Sequence, residues 1–170
     1  MSQEAEHHPP SIPDAVWALL TAGAIGLVGL AARQPLVFPN LGPTAFLQTE
    51  TPDQPSARPY NSIVGHLVGL LAGVLAVWTL GAPGALSVLS SHDLTAPRVW
   101  AWVLAMVLTL LGGLLLRASH PPAAATTLLA SLGGFPPTLR SVVTVMSGVL
   151  LVTLLGEILC RLGLRQKGVS

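Results

Sequence analysis

Residues 99–134 read VWAWVLAMVLTLLGGLLLRASHPPAAATTLLASLGG, and the punctuation of this stretch decides the fold class. Val99–Leu116 is an unbroken apolar run. At about 1.5 Å per helical residue it is long enough for the roughly 30 Å hydrocarbon core of a bilayer. Arg117 closes the run. His120–Gly134 is again apolar, but it opens on two prolines and is below spanning length. A segment of this kind reads as a re-entrant half-helix, or as a short span supported by its neighbours.

Outward from this stretch the same order appears twice. Ala15–Ala32 is a long apolar run, Arg33 closes it, and Pro35–Gln48 (PLVFPNLGPTAFLQ) is short and proline-broken. Ser62–Leu80 completes the first half, as Ser141–Cys160 completes the second. From Pro43 to Ser62 is 19 positions, and from Pro121 to Ser141 is 20. Inside lipid a segment must satisfy its own backbone polar groups, so the long runs are helices. The expected fold is all-α, a polytopic helical membrane protein. It has four long transmembrane helices plus two Pro-initiated short or re-entrant helices in a two-fold internal repeat. Matched broken segments in two halves point to a binding site near mid-membrane.

Composition excludes most rivals. Charged residues are 9% of the 170, apolar residues 51%, and mean hydropathy is +0.68. A soluble domain this small would need a far more charged surface. Net charge is +1, which leaves no basic field for nucleic acid. The single cysteine, Cys160, makes no internal disulfide and no metal cluster. No phosphate-binding glycine loop, carboxylate pair or nucleophile–base pair is evident, so neither a cofactor nor an enzymatic activity is expected.

Residues 1–14 (MSQEAEHHPPSIPD) carry no Lys or Arg and read as a disordered polar tail rather than a signal peptide. Residues 15–164 form one membrane domain, and 165–170 a short basic tail. If the short segments re-enter, Lys and Arg divide evenly between the two sides. If they cross, Arg58, Arg117, Arg161, Arg165 and Lys167 face Arg33, Arg98 and Arg140. The halves are then inverted repeats, and the positive-inside rule puts both termini in the cytoplasm. An uncleaved integral protein of the bacterial inner membrane is the expectation.

The densest candidate site is Ser119-His120-Pro121-Pro122-Ala123, followed by Thr126 and Thr127. Proline suits the first turn of a helix, and a helix N-terminus attracts anions through its free N–H groups. Thr126 adds a hydroxyl, and His120 a group that titrates near neutral pH. A plain Pro-kinked helix start with a capping serine accounts for the string equally well. Gly42, Pro43 and Thr44 are the counterpart in the first half, with Gly42 allowing close backbone approach. Asn61 and His66 stand early in the second long helix. A histidine in such a helix should face protein or water rather than lipid, either bonding a carbonyl or binding a proton or anion. Glu157 and Arg161 are spaced for an i,i+4 ion pair. Gly65, Gly69 and Gly73 form a small-residue stripe for packing within the bundle or between protomers, which leaves a homo-oligomer open.

Three strings in order give a resemblance. They are Phe38-Pro39-Asn40-Leu41-Gly42-Pro43-Thr44-Ala45-Phe46, Pro59-Tyr60-Asn61 with Gly65-His66, and Ser119-His120-Pro121-Pro122-Ala123. From about Ala15 to Leu164 the chain resembles the HPP family of small integral membrane proteins. The family often has Gln-Pro-Arg-Asn where this chain has Arg58-Pro59-Tyr60-Asn61, so its arginine stands two places earlier here. The resemblance implies nitrite transport, a role of plastid and cyanobacterial members. The expected function is therefore a transporter or channel for a small monovalent anion, nitrite first, coupled to a proton through His66 or His120. The bilayer and a small inorganic anion are its partners. The alternatives are passage of another small solute, and a non-transporting structural or regulatory membrane subunit.

Overall fold

Proline places the starts of the long helices. Pro59 and Pro97 occupy the first turns of their helices, where a missing N–H leaves no bond unmade. In the computed structural model α3 is Pro59–Thr79 and α5 is Ala96–Leu115, each beginning three residues before the apolar run that announces it. The other helices are α1 (Ile12–Ala32), α2 (Leu41–Glu50), α4 (Val88–Ser91), α6 (Ala123–Ser131) and α7 (Leu139–Arg161). The structure describes residues 12–34, 36 and 38–161. The expected tails fall largely outside that range. Ile12, Pro13 and Asp14 belong to α1 rather than to a tail.

All described regular structure is helical. α3, α5 and α7 are long and apolar enough to cross a membrane, with mean hydropathies of 1.8, 1.8 and 2.0. α1 has 21 residues, but its apolar stretch is the shorter Ala18–Ala31, so three of the four expected long spans are found among the described residues. The outward faces carry large apolar side chains, such as Leu110, Leu114 and Leu115 on α5 and Leu19, Leu27 and Leu30 on α1. That is the surface a helix bundle offers to lipid.

The two long helices that precede a short one end alike. Arg33 and Arg117 both adopt left-handed φ, 50° and 51°. Gln34 N–H bonds Gly29 O and Ala118 N–H bonds Gly113 O, while each arginine N–H bonds the carbonyl three residues back. This is the Schellman closure, with arginine in the place glycine usually takes. It ends the long helix, and a lead of a few residues follows before the short helix begins.

These leads settle how the short segments run. Tyr60 Oη, at the start of α3, donates to Leu116 O, so residue 116 lies at the near end of the bundle. Trp78 Nε1, at the end of α3, donates to Pro137 O, and Val88 N–H donates to Leu132 O, so residues 132–137 lie at the far end. The lead and α6 together therefore join opposite ends of the bundle. α2 does the same in reverse: Gln34 lies beside Leu139 and Arg140 at the far end, and α2 finishes at the turn Pro55–Ala57 before α3. With 10 and 9 residues, α2 and α6 supply about half of each crossing as helix. The expectation left re-entry and crossing open; the geometry is a crossing. Up-down-up in the first half becomes down-up-down in the second, an inverted repeat.

Each short helix packs on a long helix of its own half, α2 on α1 and α6 on α5, and also on one of the other half. α6 packs against α3, and α2 against α7. Gly65 faces Ala123, the first residue of α6, and Gly73 faces Ala130, the eighth. In the same register Gly148 faces Leu41, the first residue of α2, and Gly156 faces Gln48, the eighth. The small-residue stripe thus serves packing inside one chain. Ile25, Leu36, Leu41, Val149 and Val152 fill the core on the α2 side; Leu70, Ala130 and Val145 fill it on the α6 side.

Candidate functional site

The seam where α2 and α6 approach α3 gathers buried polar side chains. Asn40, Thr44, His66 and Thr126 are fully buried, and His120 is 5% exposed. Thr44 and Thr126 are each the fourth residue of their short helix, hence equivalent in the repeat. His66 of α3 stands between them. Its Nε2 is 2.7 Å from Thr44 Oγ1, and its Nδ1 is 2.6 Å from Thr126 Oγ1. A single imidazole thus ties together both halves. In the glycine register its counterpart on α7 is Val149, part of the apolar core.

His120 comes from the lead before α6. Its Nε2 lies 3.2 Å from His66 Nε2 and 3.3 Å from Thr44 Oγ1, with the rings edge to face at 4.8 Å between centroids. Its Nδ1 lies 2.8 Å from the carbonyl oxygen of Ser56, with Ser62 Oγ at 3.5 Å. A carbonyl only accepts, so His120 Nδ1 carries the proton and Nε2 presents its lone pair when the ring is neutral. The close approach requires Gly65, because a Cβ there would sit 2.7 Å from His120 Cβ.

Three further groups frame the cluster. Asn40 Nδ2 donates to Thr126 Oγ1 at 2.8 Å, and its main-chain oxygen accepts from Thr44 Oγ1 at 3.2 Å. Thr127 Oγ1 bonds Ala123 O and Thr109 Oγ1, fixing α6 to α5. Arg98 is buried, with no carboxylate partner among the described residues; its guanidinium donates to Ala85 O, Leu86 O and Ser131 O and so caps the far end of α6.

The residues singled out in the sequence separate into groups. His66, His120, Thr44 and Thr126 meet. Pro122 and Ala123 are buried at the α6 start, where Ala123, Ala124 and Ala125 N–H bond the carbonyls of His120, Pro121 and Pro122. Ser119 does not cap α6; it is exposed, beside Arg117 and His120 on the wall of a cavity of about 570 Å³ between α3, α5 and α6. Gly42, Pro43 and Pro121 face outward, and a Cβ at Gly42 would meet nothing within 4 Å, so no close approach needs that glycine. Asn61 donates to Pro55 O, holding the turn before α3 rather than the cluster. Glu157 and Arg161 pair at 2.7 Å on the surface.

Sequence reading missed Asn40, Ser56 and Ser62. Asn40 had a signal, being a polar residue in an apolar segment, which is costly unless partnered. Ser56 contributes only its carbonyl, which any residue supplies.

No curated protein and no solved structure matches the chain. The family model described as HPP, transmembrane region, matches residues 7–168, a span that includes every residue of the buried cluster. With apolar helices of spanning length around that cluster, the chain is an integral membrane protein and belongs to the HPP transmembrane family.

Proposed function

We propose that the protein passes a small monovalent anion across the membrane, nitrite first, together with a proton held on the His66–His120 pair. The observation that carries this reading is the pair itself: two buried imidazoles, Nε2 to Nε2 at 3.2 Å, where the broken crossings of an inverted repeat meet. The cluster contains two bases and no acid. A proton taken up there is a positive charge in a low-dielectric interior, and an accompanying anion offsets its cost. Broken helices at the centre of an inverted repeat are where transporters hold small ions. A cavity lined by Arg117, Ser119 and His120 borders the cluster at His120. Nitrite ranks first because plastid and cyanobacterial relatives in the resembling family move it.

On a six-crossing reading, chain order assigns Arg58, Arg117, Arg161, Arg165 and Lys167 to one side and Arg33, Arg98 and Arg140 to the other. That asymmetry favours a cytoplasmic location for the first set and for the C-terminus, in a bacterial inner membrane. The bilayer and the anion are the partners this reading needs, and it involves no chemical conversion.

Purified protein in proteoliposomes should take up nitrite near pH 8, where little neutral nitrous acid leaks through lipid. Nitrate, formate and chloride serve as competitors, and uptake should be lost in His120→Ala. Uptake unchanged in a His66→Ala, His120→Ala double variant would remove proton coupling through the pair. A second reading, a non-transporting structural or regulatory subunit, has one observation in its favour: all four ring nitrogens of the pair already have protein partners. Folded protein that moves none of these anions, yet copurifies with a membrane partner, would establish it.

A further inference from the structure

Asn40 Oδ1 is buried and has no hydrogen-bond partner, although the same amide's Nδ2 is bonded. A buried acceptor left unmade is costly, and this one belongs to the amide that bonds the hydroxyl serving His66. The proton positions follow from the partners. Thr126 Oγ1 accepts from Asn40, so its own single proton points to the other neighbour, His66 Nδ1. His66 is then the Nε2–H tautomer, donating toward Thr44 Oγ1 and His120 Nε2.

A proton added to His66 must occupy Nδ1, and Nδ1–H then donates to Thr126 Oγ1. The Thr126 hydroxyl proton loses its acceptor and needs another. Asn40 Oδ1 becomes that acceptor if the amide turns over, which carries Nδ2 to the position where Oδ1 now lacks a partner. The balance is one added proton, on His66 Nδ1, with no bond between heavy atoms changed. The turned amide presents free N–H donors beside a new positive charge.

We propose that Asn40 couples proton loading of His66 to capture of a small anion, by turning its side-chain amide from donor to acceptor toward Thr126. This rests on the proton-coupled reading above and makes Asn40 a positioning residue for the proton as well as an anion ligand. The elements around His66 present few other charges. α2 gives Asn40 and Thr44, with Glu50 at its distant end; α6 gives Thr126; the lead gives His120, the titratable group that faces the ring. On α5, Arg98 is engaged with carbonyls, and on α7, Glu157 pairs with Arg161 while Arg140 is exposed.

The test uses full-length protein in lipid with ring-¹⁵N histidine, observed by NMR near pH 6 with and without nitrite, His66 being identified by its loss in His66→Gln. The wild type should show His66 protonated at Nε2 alone, and at both nitrogens once nitrite is added. In Asn40→Asp, which accepts but does not donate, Nδ1 should stay protonated with or without nitrite. In Asn40→Leu the ring should no longer respond to nitrite. Both variants should lose at least tenfold in nitrite uptake. The proposal is overturned if wild-type His66 is protonated at Nδ1 alone without nitrite, or if its ring ignores nitrite while uptake proceeds. It is also overturned if Asn40→Leu responds and transports like the wild type. The wild-type arm decides the matter even if neither variant folds. Absence of wild-type uptake would instead count against the transport reading, while the tautomer still reports whether Asn40 directs His66.

Discussion

At the scale of single residues, two hydroxyls that occupy equivalent places are not equal in load. Thr126 Oγ1 serves both Asn40 and His66, whereas Thr44 Oγ1 serves His66 and its own helix carbonyl at Asn40, with His120 at the longer distance of 3.3 Å. Thr126→Val keeps the shape and leaves His66 Nδ1 without its partner, a loss of about 1–3 kcal/mol, whereas Thr44→Val leaves Nε2 still facing His120 Nε2. Thr126→Val should cost more than Thr44→Val, because it also strands the Asn40 amide. Unfolding in mixed detergent micelles measures the difference, and equal losses would deny Asn40 a share in the network. The residue types were readable in the sequence at Thr44, His66, His120 and Thr126. Their meeting was not, since Thr44 and Thr126 stand 82 positions apart.

At the scale of elements, the fit of α6 into α3 rests on absent side chains. A Cβ at Gly69 would lie 2.8 Å from the backbone oxygen of Ala123, and one at Gly73 would lie 2.5 Å from Ala130 Cβ. Backbone cannot step aside as a flexible side chain can. Gly69→Ala should therefore destabilise by about 1–3 kcal/mol, the usual range for overpacking, and weaken His66 bonding to Thr126. Gly42→Ala provides the contrast. It stands in a motif, yet it faces open space at the start of α2 and should change stability by no more than about 0.5 kcal/mol. The Schellman closures make another test. Arg117→Gly should stabilise by about 0.4–1 kcal/mol, because a left-handed position favours glycine. If Arg117→Gly destabilises instead, the arginine side chain holds something at the near end. Spacing in the sequence exposes Gly42, Gly69 and Gly73 alike. Which are packed against backbone and which are free depends on the helix each one faces.

At the scale of the whole molecule, short helices that bridge the halves make one site from two. α2 belongs by sequence to the first half and packs on both α1 and α7; α6 belongs to the second and packs on both α5 and α3. His66 then lies within reach of both threonines. The crossing geometry separates the two ends of α6 across the bilayer, while re-entry would keep them together. In a Cys160→Ser background, Arg117→Cys and Thr138→Cys should react with a membrane-impermeant thiol reagent from opposite sides. Labelling of both from one side would overturn the inverted arrangement. The same experiment reads the orientation that the arginine asymmetry favours.

By itself the sequence determined that this chain lives in a membrane, that it is helical, and that it repeats. Those features follow from local quantities: hydropathy over a run, backbone groups that lipid leaves no way to satisfy, and prolines that start helices or break them. Only the tertiary structure decided that the short segments cross, that His66 bridges the halves, and that Asn61, Gly42 and Ser119 stand outside the cluster. The reason is the length scale of the forces. A hydrogen bond at 2.7 Å joins whatever packing brings together, and the packing of α6 on α3 is set by which side chains are small enough to let two backbones approach.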